Sequence, residues 1–356
     1  MNKLYGVSFS PYSGKVRAYL KYKNIPYQEV FANAYQYLTV IKRKTGVMYI
    51  PVVGLESGEV LQDSSVIIDH FEQAYKDSAV TPPGAKQRLA SAILEVYADE
   101  WMVPFSCLHY RWNYPENLPV LFPQFGRVAL PYGPKAIRAI LGKRLSARFR
   151  GFMPKLGLSK DICAAVEQRH KALLDILNEH FAEHDYLLGG SACTGDFSLF
   201  GPLYAHLYLD PAPRKVMEAR APNVVRWVER MADKPQPRGD FLAGDVVPEA
   251  VEQLLAIFAE DCLPLLLESA RRVDDWAAKN PSVKQLPGAL SGMEFSILDA
   301  KASRMVLTAP VWKLQRVLSC VDDVDVKWLE ATGAQALLSY QQQAPVTRRN
   351  NKVVLA

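Results

Sequence analysis

Three hydroxyl side chains fall within four residues near the start of the chain: Ser10, Tyr12 and Ser13, in Ser10-Pro11-Tyr12-Ser13-Gly14-Lys15-Val16-Arg17. An apolar run, Leu4-Tyr5-Gly6-Val7, precedes them, and an amphipathic segment, Val16 to Tyr22, follows. That order reads as strand, tight turn, helix. The first N–H groups of a helix lack intrahelical partners and favour an anion. A thiolate is such an anion, and a hydroxyl that donates to it lowers the thiol pKa from about 8.5. The serine need not ionise for this. A helix-capping serine is the structural alternative. Turn geometry cannot be read from sequence, so Ser10, Tyr12 and Ser13 stand as rivals, with Tyr5 behind them because strand tyrosines usually pack in cores.

Two further stretches carry polar groups beside apolar runs: Ile50-Pro51-Val52-Val53 and Gln62-Asp63-Ser64-Ser65. A later one combines Leu187-Leu188-Gly189-Gly190 with Thr194-Gly195-Asp196-Phe197. Taken with the opening turn, they resemble the cytosolic glutathione S-transferase family in its Ser/Cys-type zeta and omega classes. The resemblance covers about residues 1–235 and leaves a C-terminal extension unmatched.

The resemblance places Ser10 where a Ser or Cys opens the turn, followed on the helix by Lys15-Val16-Arg17. It implies glutathione as co-substrate and a thiol activated for attack on a small electrophile. Ile50-Pro51 matches a hydrophobic residue before a cis proline, with the Ile50 backbone pairing to the cysteinyl part of glutathione. Ser64 and the nearby N–H groups would take the γ-glutamyl carboxylate, and Asp63 or Gln62 its amine. A second-substrate pocket would be lined by Trp101, His109 and Trp112, with His109 or Arg111 available to an anionic acceptor; core packing is the alternative for the tryptophans. Asp196 would be a structural acid at a buried helix start, although Cys193 stands where the family has Ser or Thr. A serine at position 10 argues against a reductase, which needs a thiol for a mixed disulfide. The family implies a homodimer through the N-terminal domain and the first long helices. A non-catalytic glutathione-transferase-like binding protein is the rival reading, and a glutathione-dependent reductase or isomerase the third.

These residues need a particular scaffold. Residues 1–80 alternate strand and helix patterns: strands at 3–9, 27–32, 49–53 and 59–62, and helices at 14–23, 35–45 and 63–75. The order is that of a thioredoxin-like domain, with a right-handed crossover in its opening strand–helix–strand unit. Thr81-Pro82-Pro83-Gly84 reads as a linker. Helical spacing then dominates residues 85–235, with helices expected at 87–110, 162–181, 197–208 and 224–231. Residues 240–356 form the extension: a long helix at 247–279, a hairpin at 293–307, a helix capped by Thr308, and a loose tail or an edge segment from Arg348. The expected fold class is therefore an α/β thioredoxin-like domain, an all-α bundle and an α+β extension.

The segment from Leu118 to Lys160 contains nine Lys and Arg and no acidic residue. Its prolines and glycines suggest a loop with one short helix at 136–148. A solvated cationic face is the simplest reading; an anion-attracting patch or a contact for a partner chain is the functional one. Without a stacking layout or motif, nucleic acid is not expected.

Bulk properties set the remaining bounds. The chain has 356 residues, is 49% hydrophobic, and has a net charge of +5, too modest to imply nucleic acid. Its five cysteines are scattered and odd in number, which argues against disulfides and zinc, so no metal is expected. No run reaches the ~18 apolar residues of a membrane span, and the N-terminus lacks a secretory layout. A cytoplasmic protein with no membrane partner is the expectation.

Overall fold

The computed structural model describes residues 1–349 and 351–356. The chain opens as β1 (Asn2–Gly6), α1 (Pro11–Tyr22) and β2 (Tyr27–Phe31). A helical stretch follows, α2 (Ala34–Gln36) running through a π segment into α3 (Lys42–Thr45). Then come β3 (Val52–Gly54), β4 (Val60–Gln62) and α4 (Ser64–Ala74). The sheet order is β2-β1-β3-β4, with β1 parallel to β2 and antiparallel to β3. This is a thioredoxin-like domain. Leu4, Val52 and Val53 are fully buried in its sheet and Val16, Tyr19 and Leu20 in α1.

The helical domain runs α5 (Ala85–Tyr97), a π segment (Ala98–Cys107), α6 (Leu108–Asn113), α7 (Leu118–Ala129), α8 (Lys135–Arg150) and α9 (Cys163–Glu183). It continues through α10 (Thr194–Pro202), a π segment (Leu203–Tyr208), α11 (Pro211–Arg220) and α12 (Pro222–Asp233). Proline explains these irregularities. Pro104 lies inside the first π segment and Pro202 directly precedes the second. A proline cannot donate to the fourth carbonyl before it, so the ladder slips locally. The two domains meet along α1 and α10. Gly201 lies so close to α1 that a Cβ there would meet the Pro11 carbonyl at 2.5 Å. Phe197 is T-stacked between Tyr19 and Tyr22, at 5.7 and 5.4 Å.

The extension contains α13 (Glu249–Ile257), a π segment, α14 (Leu263–Lys279), the hairpin β5 (Ala289–Ile297) and β6 (Ala300–Leu307), α15 (Ala309–Leu318), α16 (Val326–Ala331) and α17 (Ala336–Ser339). It ends in a second hairpin, β7 (Val346–Arg349) and β8 (Lys352–Leu355). It is built into one continuous core with the first two domains. Phe295 of β5 packs on Phe105 at 5.4 Å, and Arg304 of β6 lies over the same ring.

Several expectations are corrected here. The basic segment is not a loop with one helix: α7 and α8 form a helical hairpin. Gly126 and Gly142 allow it, because a methyl on either would overlap a backbone carbonyl of the facing helix. Pro119 sits in the first turn of α7, where its missing N–H is tolerated. The helix α11, opened by Pro211 and carrying Pro213 in its first turn, was not among the expected elements. The expected loose tail is instead a paired hairpin. Thr308 precedes α15 as expected, but its hydroxyl does not cap the helix; it donates to the Pro287 carbonyl at 2.7 Å.

His170 of α9 is buried against Tyr110, with neither ring nitrogen hydrogen-bonded. Burial, with His109 and Lys171 nearby, pushes its pKa from 6.5 to about 3. The folded state therefore keeps it neutral while the unfolded chain protonates below 6.5. Stability from this residue is present above pH 6.5 and is lost as pH falls toward 3, by up to about 1.4 kcal/mol per pH unit. His170→Leu is expected to flatten the fall in urea-unfolding free energy between pH 6.5 and 4; an unchanged slope would refute the assignment.

Candidate functional site

The site is built where α1, α4 and α5 converge. Ser10 is the N-cap of α1: its Oγ accepts from the Ser13 N–H at 3.3 Å. That uses the oxygen and leaves the hydroxyl hydrogen free to donate. The loop holding Ser10 is anchored one residue earlier, where Arg111 donates to the Phe9 carbonyl at 3.3 Å. The Phe9 ring packs against Phe125 at 5.1 Å.

The other two hydroxyls are differently placed. Tyr12 donates to the Asp99 carbonyl at 3.0 Å. Burial, with Glu100 and Asp99 adding to it, raises its pKa well above 10, so the phenol stays protonated. Ser13 is fully buried and its Oγ points at Gly6, where a Cβ would come within 2.8 Å. Of the three rivals, only Ser10 combines partial exposure with an uncommitted proton.

The Ile50–Pro51 bond is cis. Ile50 lies just outside the β3 ladder, which starts at Val52. Gln62 is buried, with its Nε2 donating to the Tyr49 carbonyl at 2.7 Å. Asp63 is the N-cap of α4 and not its first residue: its Oδ1 accepts from the Ser65 N–H at 2.9 Å. Its φ of 83° is a conformation that residues with a Cβ rarely adopt, so the fold imposes the position of this carboxylate. The other oxygen, Oδ2, is bonded by Arg348 of β7. Ser64 is buried at the first position of α4.

Beneath these residues lies a buried charge network. Lys15 is fully buried and bonds Glu95 at 2.7 Å and Asp99 at 2.8 Å. Ser65 donates to Glu95 at 2.6 Å. Lys313 of α15 reaches Asp99 at 2.5 Å and Glu100 at 3.5 Å. Burial alone would raise the Glu95 carboxyl, but Lys15, then Arg316 and Lys313, outweigh it and hold it well below the ordinary range. Burial would depress Lys313, yet Asp99 and Glu100 raise it, so it stays charged. Glu100 keeps a raised pKa, from burial first and Asp99 next, against Lys313. Arg316 forks onto Asp69 of α4, one bond measuring 2.9 Å. Extension cations thus bind acids of the thioredoxin-like domain at Asp63 and Asp69, and of the following helix at Asp99 and Glu100. The sequence hid this, because Lys313, Arg316 and Arg348 are more than 200 residues from their partners.

Of the four residues considered for a second pocket, Trp101 and Trp112 follow the core-packing alternative, and His109 and Arg111 are buried and engaged, which departs from the pocket expectation. Trp101 packs on Phe105 at 4.4 Å. His109 is bonded to Glu167 at 2.9 Å and to Asn113 at 2.9 Å. Arg111 is clamped by Asp210, with bonds of 2.7 and 2.9 Å. Trp112 packs on Phe125 at 5.5 Å. The reason is the same for each: the kinked helix they share runs through the centre of the bundle. At Cys193 the thiol takes the capping position itself, while Asp196 accepts from the Cys193 and Leu187 N–H groups at 2.9 and 3.0 Å. Burial raises the Asp196 pKa to about 7, against those two bonds.

Comparison with known families agrees with this architecture. Residues 4–79 match the model of the glutathione S-transferase N-terminal domain, and residues 143–235 that of the glutathione S-transferase C-terminal domain. The chain belongs to the glutathione S-transferase family, with residues beyond 235 as an extension. No curated protein matches the sequence. Among solved structures it is similar to the beta-etherase LigF of Sphingobium sp. strain SYK-6, at 16% identity and a TM-score of 0.47, over 66% of this chain and 96% of that one. It is also similar to a glutathione S-transferase of Methylobacterium radiotolerans in complex with glutathione sulfonate. There the identity is 22% and the TM-score 0.42, over 69% of this chain and 99% of that one.

The network sets a stability test. Lys15→Met leaves Glu95 and Asp99 without their shared cation in a buried site. A loss of roughly 3–5 kcal/mol in urea unfolding is expected. A loss under 1 kcal/mol would show that Lys313 and Arg316 suffice.

Proposed function

We propose that the protein binds glutathione and activates its thiol for attack on a small electrophile. The observation that carries this reading is Ser10: a helix-capping hydroxyl at the family's sulfur position, partly exposed, with its proton uncommitted. Donation from Ser10 Oγ to the sulfur, together with the positive end of the α1 dipole, stabilises the thiolate. The thiol proton leaves to solvent as the thiolate forms; the sulfur lone pair then bonds to the electrophilic carbon while that carbon's bond to its leaving group breaks and the group departs with the electron pair. Ile50 offers backbone groups to the cysteinyl residue. Ser64 and the start of α4 suit the γ-glutamyl carboxylate, and Asp63 its amine.

One observation favours a second reading, a glutathione-transferase-like binding protein without turnover. Arg348 engages the Asp63 carboxylate that the amine would use. Binding of the tripeptide would then require Arg348 to yield or to share the acid, which lowers apparent affinity by the fraction of molecules left open.

Two measurements separate these readings. Ser10→Ala is expected to lower the conjugation kcat by about 10²-fold and to raise the bound thiol's pKa, while retention on immobilised glutathione persists. Unchanged conjugation in that variant would remove Ser10 from the chemistry, and absence of conjugation in the parent protein would favour the binding-only reading. Arg348→Gln is expected to tighten glutathione binding by roughly 3- to 10-fold in calorimetry; weaker binding would make Arg348 part of the recognition site.

A further inference from the structure

The α7–α8 hairpin has no assigned role in the chemistry above, and its surface is unlike the rest of the molecule. Its two helices pack on each other through Gly126 and Gly142, so the outer side of α8 is left to solvent. Helical spacing puts Ile137, Ile140, Arg144 and Arg148 along that outer side, with Lys143 beside them. Ile137 is 48% exposed, Ile140 59%, and Tyr132 in the connecting loop 91%. Exposed apolar and cationic residues thus share this side of the hairpin: Tyr132, Ile137 and Ile140 lie toward the tip, Lys143, Arg144 and Arg148 one to two turns nearer the root, and Phe149, 49% exposed, beyond them.

The charge is just as one-sided. Among the described residues, none of the nine cations between Leu118 and Lys160 takes part in an ion pair. Elsewhere, Lys313, Arg316 and Arg348 are met by acids more than 200 residues away. A face that is cationic throughout and apolar at its tip calls for an anionic partner with an apolar interior. A second copy of the hairpin would set like charges against each other. Nucleic acid would meet the cations, and Tyr132 has a π-face, but the aliphatic Ile137 and Ile140 beside it cannot stack on bases.

We propose that the α7–α8 hairpin docks on anionic lipid bilayers. Tyr132, Ile137 and Ile140 enter the boundary between headgroups and acyl chains, and Lys143, Arg144 and Arg148 meet the lipid phosphates. No helix among the described residues is long and apolar enough to cross a membrane. The hairpin lies on the surface. This inference does not depend on the glutathione reading.

Co-sedimentation of the full-length protein with vesicles tests it. The probes are vesicles of phosphatidylcholine alone and with 30% phosphatidylglycerol, at 0.1 and 0.5 M salt. Binding to the anionic vesicles is expected at least tenfold above the neutral ones, and is expected to weaken at high salt. Lys143→Glu with Arg144→Glu and Arg148→Glu should lower the partition coefficient by roughly a hundredfold. Ile137→Asp with Ile140→Asp should lower it by roughly tenfold or more. All five positions are exposed, and circular dichroism is the check that both variants fold. Equal binding to both vesicle types, or binding to neither, overturns the proposal. So does loss with the charge reversals but not with the Ile substitutions, which would indicate adhesion without insertion. Tighter binding to duplex DNA than to anionic vesicles assigns the face to nucleic acid. Concentration-dependent dimerisation that the Ile substitutions abolish assigns it to a second copy.

Discussion

The arrangement of this protein depends on burying one ammonium group between two carboxylates. Lys15 rises from the helix that begins at Ser10, and Glu95 and Asp99 come from the long helix of the second domain. A buried charge is tolerated only when paired and hydrogen-bonded. The pairing therefore fixes how α1 sits against α5, and so where the N-terminus of α1 points. Ser65 ties the start of α4 to the same carboxylate, Glu95. Two helix starts that would face a bound tripeptide are held to one buried cluster.

The extension enters the same network. Lys313 places a second ammonium on Asp99, Arg316 reaches Asp69 and Glu95, and Arg348 reaches Asp63. The extension is thus part of the site's electrostatics, not a separate appendage. Family resemblance implies a homodimer through the N-terminal domain and the first long helices. In this chain α15 lies against α5 and Arg316 holds Asp69 of α4, so the extension packs on both helices. The hairpin α7–α8 takes no part in the network; it is joined to the body through Phe125 of α7, which packs on Phe9 and Trp112.

Much of the fold was legible in the sequence because its signals are local. Alternating apolar runs marked β1 through β4, Gly46 closed α3 in a left-handed turn, and helical spacing marked α9, α10, α12 and α15. The turn hydroxyls also announced themselves by neighbouring residues, and the family resemblance pointed to the cis proline. The misreadings came where packing overrides local chemistry. Pro119, Pro123 and Gly126 read as loop, but the glycine serves a close helix crossing. Trp101, His109, Arg111 and Trp112 read as pocket-lining, but Asp210 and Glu167, far along the chain, claim the polar ones for the core.

The sequence by itself determined the element types, the thioredoxin-like opening, the helical second domain and the set of residues available to meet a thiol, because backbone preference and hydrophobic period act over a few residues. Only the tertiary structure decided which hydroxyl is free and which acids are already partnered. Tyr12 and Ser13 differ from Ser10 by what lies across from them in space, Asp99 and Gly6, and not by anything in the turn. The same holds for Asp63, whose partner Arg348 is brought to it by a hairpin at the far end of the chain. Long-range charge pairing under burial has no local signature, so no window of residues could have revealed it.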